Sequence, residues 1–160
     1  MAGVERRMRL TGLHHLTAIV HDLDRTTAFY RDVLGLTLVR EGTSDDDPGI
    51  RHFWFALGDP SAGHLISFLE YPSMPAGTVG AGSVQHFAVI VESADEQVAW
   101  RDYLRSRGVA CTDVFARGGF RSVYVRDPDG HIVEIATRGP GEDSSPDPPP
   151  SSSAVPPAAF

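Results

Sequence analysis

The sequence predicts an α+β fold in which two βαβββ modules form a curved mixed sheet around a cleft. Three observations carry that expectation: a strand-like run that occurs twice, a capped helix after each copy, and three short strand-like runs after each helix. The first run is Leu13-His14-His15-Leu16-Thr17-Ala18-Ile19-Val20, which passes into a helix start at His21-Asp22. The second is Val84-Gln85-His86-Phe87-Ala88-Val89-Ile90-Val91, followed by Glu92-Ser93.

The helices repeat as well. The first runs from an Asp22 cap to about Leu34, with Phe29, Tyr30, Val33 and Leu34 at helical spacing and Gly35 as a left-handed stop. Its counterpart opens with Ser93 and Glu96 at capping-box spacing, presents Trp100, Tyr103 and Leu104 on one face, and stops at Gly108. The strands that follow are expected near Leu36 to Arg40, Arg51 to Leu57 and His64 to Glu70, then near Val109 to Phe115, Arg121 to Arg126 and His131 to Thr137. Module 1 therefore covers about 10–70 and module 2 about 83–138, with the Gly- and Pro-rich segment 71–82 as the linker. Together they make one domain, 10–138. Residues 139–160 are rich in Pro and Ser, have little to bury, and are expected to be a disordered tail. One curved module leaves its concave face uncovered, and pairing two modules encloses a cleft suited to a small ligand.

Composition narrows the function classes. The chain of 160 residues is 41% hydrophobic and 22% charged, and no run approaches the ~20 apolar residues of a membrane span. The N-terminus carries no secretory pattern, so a soluble, cytoplasmic protein is expected, without a membrane partner. Cys111 is the one cysteine and reads as a small buried apolar residue. All 14 basic residues are Arg and the net charge is −7, which leaves no basic stripe for nucleic acid and no Lys for Schiff-base chemistry.

His15 and His86 occupy the same position of the repeat, and imidazole nitrogens are favoured ligands of Fe, Mn and Zn. Glu134 lies inside the apolar run Ile132-Val133-Glu134-Ile135-Ala136, where a carboxylate costs several kcal/mol unless it is paired or bound to a cation. Two His and one carboxylate form the facial set that leaves open metal positions, so His15, His86 and Glu134 are the expected metal ligands. Laying Gly63-His64-Leu65-Ile66-Ser67 on Gly130-His131-Ile132-Val133-Glu134 puts Ser67 in the equivalent slot of the first copy. The chain then holds one full ligand set. Asp127-Pro128-Asp129-Gly130 suits a type I turn with a left-handed Gly bulge, and if Asp127 faces His131, Tyr124 lies directly opposite Glu134. Tyr124 is thus expected in the cleft, as a filler of the sheet surface or as a proton donor. Strand alternation turns His14 away from His15 and makes it structural.

These residues resemble those of the vicinal oxygen chelate superfamily, which includes glyoxalases, ring-cleaving dioxygenases and bleomycin resistance proteins; the resemblance covers 10–138. Leu13-His14-His15-Leu16-Thr17, Asp46-Asp47-Pro48-Gly49 and the stretch Arg121 to Gly130 with Glu134-Ile135-Ala136-Thr137 look like the hydroquinone-type extradiol ring-cleaving dioxygenases. The resemblance implies Fe(II), with Mn(II), Zn(II) or Ni(II) as other candidates, held by His15, His86 and Glu134. It further implies His14, Tyr124 and Arg117 as catalytic residues. In the later module Gln85 stands where those dioxygenases often carry another His. Members of that kind mostly have four modules; with two here, a homodimer is expected, and the metal site lies either within one chain or between the subunits of that dimer.

The implied function is aromatic-compound catabolism: a metal-dependent extradiol-type dioxygenase that uses O₂ to cleave a dihydroxylated aromatic or hydroquinone ring. His52, Phe53, Trp54, Phe55 and Phe120 would then surround the substrate. A glyoxalase-like lyase or isomerase is one alternative, although such members normally carry a fourth protein ligand where Ser67 stands. A metal-free drug-binding resistance protein is the other, and there the His-His-Glu set is usually broken.

Overall fold

The computed structural model describes residues 9–139. The expected tail from 140 onward and the N-terminal eight residues lie outside that range. Two four-stranded mixed sheets are present, in strand orders β1-β4-β3-β2 and β5-β8-β7-β6. In the first module β1 (His15–Val20) leads through α1 (Leu23–Thr27) to β2 (Thr37–Thr43), β3 (Arg51–Ala56) and β4 (Leu65–Glu70). In the second, β5 (Phe87–Ile90) leads through α2 (Ala94–Ser106) to β6 (Phe115–Ala116), β7 (Arg121–Arg126) and β8 (Ile132–Ala136). The first strand of each module runs parallel to the last, because the crossover helix reverses the chain once, and the hairpin strands are antiparallel. Residues 71–82 contain neither strand nor helix.

Local chemistry explains the helices. Asp22 accepts from the Asp24 and Arg25 amides and starts α1, and the Ser93 hydroxyl accepts from the Glu96 amide to start α2. Gly35 and Gly108 take the left-handed conformation expected at the helix ends. The first helix departs from expectation after Thr27, where Ala28–Val33 widens into a π-helix with Leu34 N–H donating to the Phe29 carbonyl. The wider turn lets the adjacent rings of Phe29 and Tyr30 both face the core, at 8% and 0% exposure.

Three strand expectations are corrected. β1 starts at His15 and β5 at Phe87, so His14 and His86 precede their strands. The expected strand Val109 to Phe115 reduces to a bridge between Cys111 and Val125 and the short β6. Here the Thr112 hydroxyl accepts from the Tyr124 amide, so a side chain takes a ladder partner and the regular pairing stops.

The core is one cluster behind the sheets, with Tyr30, Phe55 and Phe68 fully buried from the first module and Leu104, Val123 and Val133 from the second. Tyr30 stacks on Phe68 at 4.5 Å between ring centroids, an aromatic pair worth about 0.5–1.5 kcal/mol beyond its burial. Cys111 is buried in the same cluster, and burial pushes its thiol up. The modules meet at the β7–β8 turn. Tyr30 donates its hydroxyl hydrogen to Asp127 at 3.0 Å, Arg25 donates to Asp129 at 3.0 Å, and His21 bridges Asp129 and the Met74 carbonyl at 2.5 and 2.7 Å. No helix among the described residues is long and apolar enough to cross a membrane.

Candidate metal centre

The β7–β8 hairpin forms as its turn residues require, with Asp127 N–H donating to the His131 carbonyl and Gly130 at φ +94°. That geometry sets Tyr124 opposite Glu134 across the ladder. The parallel partner of Glu134 is Ala88, and the parallel partner of Ser67 is Thr17. Ser67 and Glu134 therefore are equivalent positions, and so are His15 and His86, each two residues before those partners.

Glu134 is 3% exposed within a strand that is buried throughout. Its Oε1 accepts from the buried Ser122 hydroxyl, and its Oε2 faces His86 Nε2 at 2.8 Å. The other ring nitrogen of His86, Nδ1, lies against the Gln85 side-chain oxygen. A carboxamide oxygen only accepts, so Nδ1–H faces it, and Nε2 meets the carboxylate oxygen either as a second N–H or as a lone pair that a cation can bridge. Two electron pairs converging at one point need a proton or a cation between them. This donor set, one imidazole nitrogen and one carboxylate oxygen with the remaining atoms already bonded, fits a divalent metal.

Tyr124 flanks the pair, its ring 6.0 Å from the His86 ring in an edge-on arrangement. Arg117, exposed on the β6–β7 loop, donates from Nε to the Tyr124 hydroxyl at 3.3 Å and lies over the Phe115 and Tyr124 rings. Four of the expected site residues, His86, Glu134, Tyr124 and Arg117, are thus contiguous on the second module.

The first module holds the rest apart from Phe120. His15 lies beside His14, their Nδ1 atoms 2.8 Å apart, and its ring is 4.9 Å from Trp54. His52 stacks on the other side of that region, also 4.9 Å from Trp54. Burial holds the His52 imidazole below its usual range, and its Nε2 has no hydrogen-bond partner. Ser67 is fully buried and closed by a 2.8 Å hydrogen bond with Thr17. Among the described residues, no three His, Cys, Asp or Glu side chains group so as to hold a metal. His86 and Glu134 meet, and His15 stands apart on the first sheet.

Phe53 and Phe55 are at 7% and 0% exposure in the core cluster, on the opposite side of β3 from His52 and Trp54. They support the sheet from behind rather than line its open face. This follows from strand alternation, which allows either the even or the odd residues of Arg51–Ala56 to face the cleft. Phe120 is half-buried at the end of the fold against Gly139, where an added Cβ would come within 2.5 Å of its own. Gln85 and Ser122 were not among the expected site residues. Ser122 was legible in principle, since it lies two residues before Tyr124 on the same strand face.

Beside the two modules' first strands lies a cleft of about 580 Å³, lined by Thr17, Ile19, His21, Val84, His86 and His131 among others. β1 and β5 are edge strands, and Ile19 and Ile90 on them are 43% and 57% exposed.

Comparison with known proteins agrees with this architecture. The profile of the Glyoxalase/Bleomycin resistance protein/Dioxygenase superfamily matches residues 12–135. MhqO of Bacillus subtilis, named as a proposed ring-cleaving dioxygenase, is 34% identical over 131 residues, covering 82% of this chain and 41% of its own. A crystal structure of a proposed dioxygenase from the same bacterium superposes with a TM-score of 0.72 at 34% identity, covering 79% of this chain and 40% of that one. The fosfomycin resistance protein FosX of Listeria monocytogenes gives a TM-score of 0.62 at 26% identity, covering 82% and 96%. This chain spans about two-fifths of the length of MhqO.

Proposed function

Because the chain belongs to the Glyoxalase/Bleomycin resistance protein/Dioxygenase superfamily, we propose that it is a metal-dependent dioxygenase that cleaves a dihydroxylated aromatic or hydroquinone ring. The observation that carries this reading is the convergence of His86 Nε2 and Glu134 Oε2 at 2.8 Å, with Tyr124 and Arg117 beside them. His86, Glu134 and His15 would hold Fe(II), or Mn(II), as a three-ligand set with open positions. His15 of a second copy would complete the set, since this residue stands apart from the other two in one chain. The similarity to MhqO supports ring cleavage over the other chemistries of the superfamily.

A bound metal supplies a Lewis acid and an electron path between a chelated substrate and O₂. The protein's own groups do the rest. Tyr124, with its hydroxyl oxygen already accepting from Arg117, is placed to hold or pass a substrate proton. The Arg117 guanidinium offers positive charge where negative charge develops on an opened ring. His14, with its nitrogen on His15, would orient that ligand and accept a proton from substrate. Trp54 and His52 would provide the aromatic wall on the first module, against which a flat ring can stack.

The test is metal analysis of anaerobically purified protein together with O₂ uptake on catechols and hydroquinones. Bound transition metal that disappears in His86→Ala and Glu134→Gln, with O₂ consumed in proportion to substrate, is the expected result. Absence of metal in the parent protein overturns the site. Metal without O₂ uptake overturns the reaction and favours a lyase of the same superfamily.

A further inference from the structure

His86 and Glu134 each offer two heteroatoms, and a metal needs a particular one of each. On His86, Nδ1 is taken by the Gln85 carboxamide oxygen, so Nε2 faces inward. On Glu134, Oε1 is taken by the Ser122 hydroxyl, so Oε2 faces the same point. Ser122 is 0% exposed and sits one diagonal step from Glu134, opposite Ala136 on β8. Gln85 approaches from the other side, along the segment that precedes β5. The ligand pair is gripped from behind at both ends.

The repeat supplies an internal control. Register carries Tyr124 onto Trp54, since these face Glu134 and Ser67 respectively, and therefore carries Ser122 onto His52. The first module thus lacks both the carboxylate and its hydroxyl donor, and Ser67 turns to Thr17 instead. Donor and carboxylate occur together in one module and are missing together in the other.

We propose that Gln85 and Ser122 are positioning residues that preset His86 and Glu134 for metal: Gln85 selects the imidazole tautomer, and Ser122 fixes the carboxylate rotamer. The inference rests on the metal reading above. A side chain held in its bound conformation before the metal arrives loses less freedom on binding. Removing partners of this kind typically weakens metal affinity about 10–100-fold. Because the grip is made by neutral groups, it adds orientation without changing the charge of the site.

The experiment titrates Mn(II) alone into the full chain and reads free Mn(II) from its electron paramagnetic resonance signal, with thermal unfolding measured in parallel. Ser122→Ala and Gln85→Leu are expected to weaken Mn(II) binding by about 10–100-fold. Ser122→Thr, which keeps the hydroxyl, and Gln85→Glu, which keeps an acceptor for Nδ1, are expected to recover most of that loss. A merely structural role predicts a lowered unfolding temperature with affinity unchanged. Gln85 is exposed, so its variant reports on the grip even if a change at buried Ser122 disturbs folding. Mn(II) affinity in both Gln85→Leu and Ser122→Ala within twofold of the parent overturns this inference and leaves the metal reading standing. No Mn(II) binding by the parent overturns both.

Discussion

Tyr30 and Asp127, separated by 97 residues in the chain, share a buried 3.0 Å hydrogen bond that fastens the first module's helix to the second module's β7–β8 turn. Asp127 also accepts from the Asp129 and His131 amides and lies beside His131 Nδ1 at 2.8 Å, so one carboxylate organises the turn and receives the neighbouring module. Burial is the main reason the Tyr30 phenol is raised well above its ordinary range, with the Asp127 charge adding to it, so it stays a donor at any physiological pH. Tyr30→Phe removes that donor and keeps the ring. The expected loss is about 1.5–3 kcal/mol, the range for a hydrogen bond to a charged group, read from urea unfolding. A loss under about 0.5 kcal/mol would mean that the modules are held together elsewhere.

The same turn makes stability depend on pH. His131 is raised above its ordinary value of 6.5, chiefly by its hydrogen bond with Asp127 and against the effect of burial. A histidine raised on folding stabilises fully below its unfolded pKa, and that contribution is lost as pH rises through the folded value. Stability is therefore expected to fall as pH rises above about 6.5, with a slope of at most about 1.4 kcal/mol per pH unit from His131. His21, raised by its hydrogen bonds to Asp129 and the Met74 carbonyl, acts in the same sense. Urea unfolding across pH 6 to 9 should show a shallower slope in His131→Gln. An unchanged slope would assign the dependence to other groups.

How much of this was legible in the sequence depended on whether the determining contacts were local. The 127–130 turn fixed a residue count, and with it the facing of Tyr124 and Glu134, because Pro, Asp and Gly each restrict the backbone at their own position. Helix starts and stops followed from Asp22, Ser93, Gly35 and Gly108 for the same reason. The failures involve competition from a distance. The π turn at Ala28–Val33 answers to the core that Phe29 and Tyr30 must reach together, and β6 is short because Thr112 intercepts a ladder partner. Which face of β3 turns away from the core is not decidable from alternation alone, so the expected substrate wall mixes Phe53 and Phe55, which belong to the core, with His52 and Trp54, which face the other way. Equivalence of His15 and His86 in the repeat was readable, and their separation was not, since it depends on how two modules dock.

Tyr124→Phe separates a proton-handling phenol from a ring that fills the sheet surface. The edge-on contact with His86 survives the change, and only the hydroxyl facing Arg117 is lost. Metal content and unfolding temperature are expected to stay near the parent values, while the turnover number for the proposed ring cleavage falls by about 10²–10⁴, the usual contribution of a positioned acid or base. Steady-state O₂ uptake checks this. A parent-like turnover number with an elevated KM would instead assign Tyr124 to substrate binding.

Mixing two inactive variants tests how the third ligand is supplied. His15→Ala keeps the His86–Glu134 pair, and His86→Ala keeps His15. If each centre joins His15 of one copy to His86 and Glu134 of another, a dimer made of one variant each contains one intact centre and one doubly damaged one. Random pairing of equal amounts makes half of the dimers mixed, so the mixture is expected to recover about a quarter of the parent's metal and activity once subunits exchange. Each variant alone stays inactive, and dilution below the dimerisation constant abolishes the recovery. A centre built within one chain predicts no recovery at any ratio, because every chain in the mixture lacks a ligand.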